Sequence, residues 1–445
     1  MANQVQLGAA SINITPSVGT WMGGYSARDH GAEDIHDDLY AKILVFSDGE
    51  TKAAIVTCDL VGITEESTAA VRALVEEQTD IPGSHVMITC SHTHSGPTTR
   101  EWRYDAPFNN AYMRELERKL AGGVQVANRR LQTAVGGLGA GSFPLAVNRR
   151  LTTDGKTEMR ANPDGVVDHT VAVLRFDAED GTPLATAFHY ACHSTSMGAS
   201  NYAFSADYAG GAKTFVEHTY GEDHTAAFLL GCCGNTRPNF TSDGSRFRSA
   251  TFEELESVWR GLGAEVVSAR ESIECAPLEG VAVAQRVVTI PLREVPDASF
   301  YKQALETETW PDTGERISRD SLKWVRNRVA EYESDTLLLE PTAEIQVIRV
   351  GNLVFASYPG EVFLEYGLAV QERVKAELGL DALHVELANG MIGYVPTADA
   401  IPYGGYEVMA YRHGSQTPSG YSGDAEKLFV DTAVELARET AAAGE

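Results

Sequence analysis

Short apolar, β-branched runs alternate along the chain with longer stretches in which apolar residues recur every three or four positions. That rhythm belongs to a layered α/β fold. The runs Ala41 to Phe46, Ala53 to Cys58, His85 to Cys90, Val171 to Phe176, Ala185 to Cys192 and Ala226 to Leu230 predict strands, as do Val281 to Leu292, Ala343 to Val350, Leu353 to Ser357 and His384 to Leu387. Helical spacing predicts helices over Thr64 to Gln78, Asn110 to Arg130, Tyr208 to Tyr220, Thr251 to Ser272, Ala298 to Glu306, Ser318 to Glu333, Val362 to Glu377 and Ala425 to Ala442. No Pro/Ser-rich linker, low-complexity tract or sequence repeat divides them, so residues 1–445 read as a single domain. The stretch from Ser242 to Glu340 is richer in charge and helix signal, which suggests a peripheral helical subdomain. Pro402 to Gly423, dense in Gly and Tyr, reads as a long ordered loop of the functional kind.

Charge narrows the function classes. With 36 Lys+Arg against 62 Asp+Glu in 445 residues, the formal net charge is −26. Such a surface repels phosphate backbones and anionic headgroups, which disfavours nucleic-acid or membrane-surface roles and leaves small molecules or proteins as partners. The hydrophobic share of 43% with 22% charged residues fits an ordinary globular enzyme. No run of about 18 apolar residues marks a membrane-inserted helix. The first residues, MANQVQLGAASINITP, lack a basic n-region and an apolar h-region, and the expected location is the cytoplasm. The six cysteines form no C-x-x-C pair and read as reduced, structural residues; adjacent Cys232 and Cys233 alone raise a redox question.

Candidate chemistry gathers just beyond the carboxyl ends of the buried strands. VMITC runs into SHTHSGP, giving His92 and His94; ATAFHYAC runs into HSTSMG, giving His193; LVFAS runs into YPGE, giving Glu361; HVELA runs into NGMIGYVPT, giving Tyr394. Loops at such strand ends meet in one crevice. Each residue also has a bland reading. The histidines could be hydrogen-bonded core residues, Glu361 could complement a helix N-terminus, and Tyr394 could pack beside Ile392 and Val395. Together, two imidazoles and a carboxylate would supply the three-ligand set of a catalytic zinc.

These segments carry a family resemblance. GAASINITP, GGY, IHDDLYAK, CDL, SHTHSGP, NRR, CHSTSM, SADYAGGA, GCCGNTRPN, YPGEVF and GYVPT followed by GYE occur in the order found in the catalytic domain of the neutral/alkaline non-lysosomal ceramidases, which are zinc-dependent amidases. The resemblance implies mixed β-sheets flanked by helices and one Zn2+ per chain held by His92, His193, Glu361 and Tyr394. It places His94 against the activated water or the substrate carbonyl, Tyr406 on the developing oxyanion, and Arg149 in the same pocket. Asp59 in CDL and Asp207 in SADY become candidates for orienting a ligating histidine or moving a proton, with helix capping as the alternative.

Two departures redirect the expected substrate. Where the family carries a serine in GDxSPN, this chain reads Gly234-Asn235-Thr236-Arg237-Pro238-Asn239, so no serine nucleophile can act there. A metal-activated water is the simpler nucleophile, and Arg237 becomes either a substrate clamp or a structural arginine. The chain also closes on an amphipathic helix where ceramidases continue into a β-domain. With the acidic surface, this points to a soluble polar N-acyl compound. Arg100, Trp102, Arg103 and Tyr104, with Tyr403, Tyr411, Arg412 and His413, suggest a polar, aromatic-lined pocket. An esterase or lactonase, or a ceramidase, would use the same zinc site, and a non-catalytic metal-stabilised binding protein is the alternative from another class.

Overall fold

The computed structural model describes residues 4–101, 107–221 and 223–443. Among these, a nine-stranded sheet runs in the order Thr225–Leu230, Pro183–Tyr190, Thr170–Ala178, Gln132–Ser142, Gln6–Asn13, Tyr40–Ser47, Lys52–Cys58, Val86–Cys90, with the short Ala276–Pro277 beside Gln132–Ser142. A four-stranded sheet follows the order Val281–Thr289, Thr342–Val350, Leu353–Ser357, Asp381–Val385. Three pairs in these two sheets are parallel: Lys52–Cys58 with Val86–Cys90, Pro183–Tyr190 with Thr225–Leu230, and Leu353–Ser357 with Asp381–Val385.

Each parallel pair is joined by a crossover helix, respectively Glu65–Gln78, Asp207–Tyr220 and Leu364–Leu378, and each is preceded by an antiparallel partner strand. A strand–strand–helix–strand unit therefore occurs three times, although no sequence repeat announces it. Strands in parallel pairs are covered on both faces, which is why Val86–Cys90, Thr225–Leu230 and Leu353–Ser357 are buried at every position. Helix starts are fixed locally: Thr64 accepts from the Ser67 amide, Asn109 accepts from the Tyr112 amide, and Thr251 forms a reciprocal capping box with Glu254.

The period-two alternation of the strands sorts side chains into layers. Ile43 and Val45 pack with Val71, Val75, Leu116 and Leu120 under the helices Glu65–Gln78 and Asn110–Arg129. Leu44 and Phe46 turn the other way, onto Ile348, Val350 and Phe355 of the second sheet. That sheet's opposite face, with Ile345, Val347 and Val354, is covered by Leu364–Leu378 and Asp424–Ala442. The result is helices, sheet, sheet, helices.

The polar or glycine-rich strands Gln6–Asn13, Gln132–Ser142, Ala146–Thr153 and Lys156–Asn162 have no counterpart in the hydrophobic pattern. Gln132–Ser142 shows why. A Cβ at Gly137 or Gly139 would lie 2.6 Å from Ile273, and one at Gly141 would lie 2.2 Å from Glu265. Glycines at alternate positions let helix Phe252–Glu271 and the residues after it approach the strand backbone, at the cost of the apolar signal.

Within the charged stretch 242–340, Phe252–Glu271 packs on the main sheet and Val281–Thr289 belongs to the second sheet. Helices Ala298–Thr307 and Arg319–Ser334 instead share a small aromatic core containing Tyr301, Trp310 and Trp324. The tyrosine-rich stretch after Pro402 contains the short helix Tyr406–Met409 and a helical turn at Ala410–His413. Among the described residues no helix is long and apolar enough to cross a membrane.

Buried histidines give the fold an acid limit. His224, with Nε2 2.9 Å from Thr186 Oγ1, is held down to about 4 by burial and then by the nearby Arg270. The unfolded chain takes up that proton near pH 6.5, so stability is full above that pH and is lost as pH falls toward 4. His189 is shifted in the same direction by burial. The urea midpoint is expected to fall between pH 7 and pH 4.5, and His224→Gln should make that fall shallower. An unchanged slope in the variant would remove His224 from the account.

Candidate metal centre

The carboxyl ends of the repeated units converge. His92 follows Val86–Cys90, His193 follows Pro183–Tyr190 and Glu361 follows Leu353–Ser357, and their donor atoms all lie within 4.8 Å of one another. Glu361 Oε2 is 3.4 Å from His92 Nε2 and 3.1 Å from His193 Nε2. The tautomers follow from the other ring nitrogens. His92 Nδ1 donates to the Val61 carbonyl at 2.7 Å and His193 Nδ1 to the Cys233 carbonyl at 2.7 Å, so each Nε2 lone pair faces the cluster. Tyr394 OH stands 3.3 Å from His193 Nε2.

The protonation states match ligation. Burial pushes the Glu361 carboxyl up, but His92 and His193 outweigh it and hold it well below the usual carboxylate range. His193 is lowered to about 3 by burial, with Arg149 adding to the shift. His94 is likewise driven well down by burial and by the two neighbouring histidines. At neutral pH a charged carboxylate therefore faces the neutral imidazole of His193, and the donor chemistry fits a divalent cation.

His94 stands outside the three-donor set, with Nε2 3.1 Å from His92 Nε2 and its buried Nδ1 without a partner among the described residues. Its ring is fixed by backbone approach. Gly24, at φ +88, is so close that a Cβ there would lie 2.6 Å from the imidazole. The Arg28 guanidinium donates to the His94 carbonyl at 2.9 Å and to that of Gly23 at 2.5 Å. His92 itself has φ +60, a left-handed strain that costs on the order of 1–3 kcal/mol and clusters at functional sites.

Tyr394 is held by Arg149, which donates to its hydroxyl at 3.0 Å and to the Gly234 carbonyl at 2.7 Å. Arg149 in turn pairs with Glu407 at 2.8 Å, and Arg150 reaches the other oxygen of the same carboxylate at 2.6 Å. Burial alone would lower the Arg149 pKa, but Tyr394 and Glu407 raise it above the usual guanidinium range.

A cavity of about 690 Å³ opens onto His92, His94, Glu361 and Tyr394. Tyr406 lines it, with its ring edge-on to Tyr394 at 5.6 Å. Arg100 lines it too, close enough to act on the charge of Glu65. Val61, Met391, Ile392, Pro396 and Val408 supply apolar wall.

Other expected residues lie elsewhere. Asp207 is turned away from the donor cluster: its carboxylate accepts from the Ser196 amide at 3.0 Å, the Ser196 hydroxyl at 2.5 Å and the Tyr208 amide at 2.7 Å, so it ties down the turn after His193. Asp59 accepts from Lys213 at 2.5 Å and from the Tyr40 amide at 2.9 Å. Arg237 does not line the cavity; it donates to the Thr195 carbonyl at 3.3 Å and lies over the Phe247 ring. Trp102, with Arg103 and Tyr104, falls outside the described residues.

Sequence reasoning passed over two carboxylates. Glu407 is one. Glu386, just past strand Asp381–Val385, is the other: fully buried, it accepts from the Cys233 thiol at 2.8 Å, the Cys233 amide at 3.1 Å and the Val362 amide at 2.9 Å. It thereby joins the peptide that orients His193 to the residue beside Glu361. Cys232 and Cys233 are both free thiols.

A layered α/β fold with a histidine–carboxylate donor cluster at converging strand ends defines a candidate metal centre, and comparison with known proteins gives its family. Residues 5–266 match the family model for the neutral/alkaline non-lysosomal ceramidase N-terminal region, and the chain belongs to that family. It is similar to the neutral ceramidase of Pseudomonas aeruginosa, 23% identical over 472 residues that span 93% of this chain and 69% of the relative. Neutral ceramidase B of Dictyostelium discoideum is 28% identical over 228 residues, 48% of this chain and 31% of its own length. Among solved structures, a ceramidase complexed with C2 superposes with a TM-score of 0.75 at 18% identity, covering 98% of this chain and 76% of that one. The crystal structure of the Pseudomonas enzyme gives 0.73 at 20% identity, covering 98% and 75%. These likenesses establish the fold.

Proposed function

We propose that the chain is a zinc-dependent hydrolase that cleaves an amide bond in a small polar N-acyl compound. The observation that carries this reading is the meeting of His92 Nε2, His193 Nε2 and a Glu361 oxygen, within 4.8 Å of one another, beside an open cavity. With Tyr394 they would hold the ion, which when bound supplies a Lewis acid and a nucleophile at neutral pH. His94, with Nε2 facing the cluster and neutral at working pH, can take a proton at that atom and return it to the leaving amine. Tyr406 OH would donate to the carbonyl oxygen as charge develops there. Arg149 keeps the Tyr394 hydroxyl aimed at His193.

Chelation tests the reading. Treatment with a chelator should abolish turnover of an N-acyl panel, and zinc should restore it; turnover that survives complete metal removal would overturn it. Tyr406→Phe should retain its metal and lose roughly 100-fold in kcat, the low end for an oxyanion donor, because the ring is partly exposed. Unaltered kcat in that variant would remove Tyr406 from the mechanism.

A ceramide-like N-acyl lipid is the second reading, favoured by the relatives' names and by exposed Leu338, Leu339, Tyr403 and Tyr406, two of which line the cavity. Comparing a short-chain ceramide with N-acyl amino acids separates the two.

A further inference from the structure

Among the described residues, the cavity holds a cation without a counter-charge. Arg293 lines it, and among the described residues no carboxylate comes within ion-pair distance of its guanidinium. Arg28 is buried nearby and likewise has no carboxylate partner among the described residues, but its guanidinium is taken up by the carbonyls of Gly23, His94 and Asn201. Arg149 and Arg150 share Glu407, and Arg412 pairs with Asp312. Arg293 instead lines the cavity with one backbone carbonyl acceptor and no carboxylate among the described residues, in a chain with 26 more acidic than basic residues.

Its placement is built. Arg293 donates from its backbone to the Gly420 carbonyl at 2.8 Å and from one terminal nitrogen to the Val408 carbonyl at 2.6 Å. Its guanidinium carbon lies 5.1 Å from the centre of the Tyr411 ring. Gly420 makes the room, since a Cβ there would lie 1.8 Å from the guanidinium. The Nε atom is buried and has no hydrogen-bond acceptor among the described residues. Burial lowers the Arg293 pKa, and Arg412 lowers it further against the opposing effect of Tyr411. A planar fork of N–H donors with desolvation uncompensated is suited to an oxyanion, which accepts two parallel charge-assisted bonds. Ser415, Gln416 and Thr417 add polar groups to the same wall.

Resting on the amidase reading, we infer that the substrate carries a carboxylate or similar oxyanion that Arg293 holds while its scissile carbonyl sits at the His92–His193–Glu361 cluster. The repulsive field of an acidic protein makes such a local cation the means by which an anionic substrate is accepted. The cavity's apolar wall takes the acyl portion.

The test uses N-octanoyl derivatives of glycine, β-alanine and γ-aminobutyrate, each beside its carboxamide, with zinc-loaded protein. Affinity is read by calorimetry and amine release on the same samples. For at least one spacer the acid should bind about tenfold or more tightly than its carboxamide, the worth of a charge-assisted hydrogen bond. Arg293→Gln should bring that ratio close to one, and Arg293→Lys, which keeps the charge and loses the fork, should give an intermediate ratio. Because the ratio cancels whatever both ligands lose when the 408–420 segment loosens, a purely structural Arg293 would leave it unchanged. No acid preference at any spacer, or a preference that persists in Arg293→Gln, overturns the proposal. Absence of amine release from every probe, with zinc and without, would instead overturn the amidase reading, and the affinity ratio would still decide the role of Arg293.

Discussion

Glu361→Gln is expected to yield a folded chain that no longer retains its metal. The substitution keeps the size of the side chain and one carbonyl oxygen, and the Glu361 backbone amide still donates to the Gly393 carbonyl at 2.9 Å. What disappears is the charge. Burial opposes ionisation of this carboxyl, yet His92 and His193 hold its pKa well below the usual carboxylate range, so it would contribute the negative charge that a dication needs beside the nitrogen donors. Even the loss of a partner behind a ligand typically costs about 10–100-fold in affinity or activity. Loss of the ligand itself should take metal content from about one per chain to near zero and lower turnover by more than about 100-fold. The circular dichroism spectrum should stay that of the parent. Full metal retention in Glu361→Gln would mean that the ion sits elsewhere.

The strand ends that bring Glu361 to the histidines were legible in sequence because they terminate continuous apolar runs. A strand buried on both faces must be apolar at every position, as Val86–Cys90 and Leu353–Ser357 are, and the polar residue that follows is conspicuous. All eight expected helices are present within a few residues, since period and capping are local. The strands that escaped are those whose signal was given up for packing: Gln132–Ser142 uses glycines to admit a helix, and Lys156–Asn162 is partly exposed throughout. The threefold strand–strand–helix–strand unit escaped because topology can repeat where side chains do not.

The residues behind the site were harder still. Asp207 precedes a helix and sits in a family motif, but its oxygens are consumed by Ser196 and Tyr208. Glu386 lies within HVELA, and its role depends on the amides of Cys233 and Val362, more than a hundred residues and about two dozen residues away respectively, which no local pattern connects. Glu407 follows Tyr406 in GYE, and nothing local distinguishes it from a solvated acid of a tyrosine-rich loop. Only the fold shows two arginines of the Ala146–Thr153 strand waiting for it.

That arrangement sets the second large effect. Glu407→Ala removes one carboxylate and strands two guanidinium groups, Arg149 and Arg150, both buried. Breaking a buried pair by deleting one partner costs about 3–5 kcal/mol, because the remaining charge keeps its desolvation penalty without its attraction. With two cations stranded, the upper end of that range is expected in urea unfolding at pH 7. Arg150 would keep its bond to the Gly404 carbonyl at 2.8 Å, and Arg149 its bond to Gly234. The damage should therefore fall most on the aim of Arg149 at the Tyr394 hydroxyl. Metal affinity should weaken along with stability, although Glu407 touches none of the three clustered donors. Glu407→Gln, which restores an acceptor without the charge, should recover part of the stability. A Glu407→Ala protein with parental stability and metal affinity would show that the two arginines find other partners, and that Tyr394 is held without them.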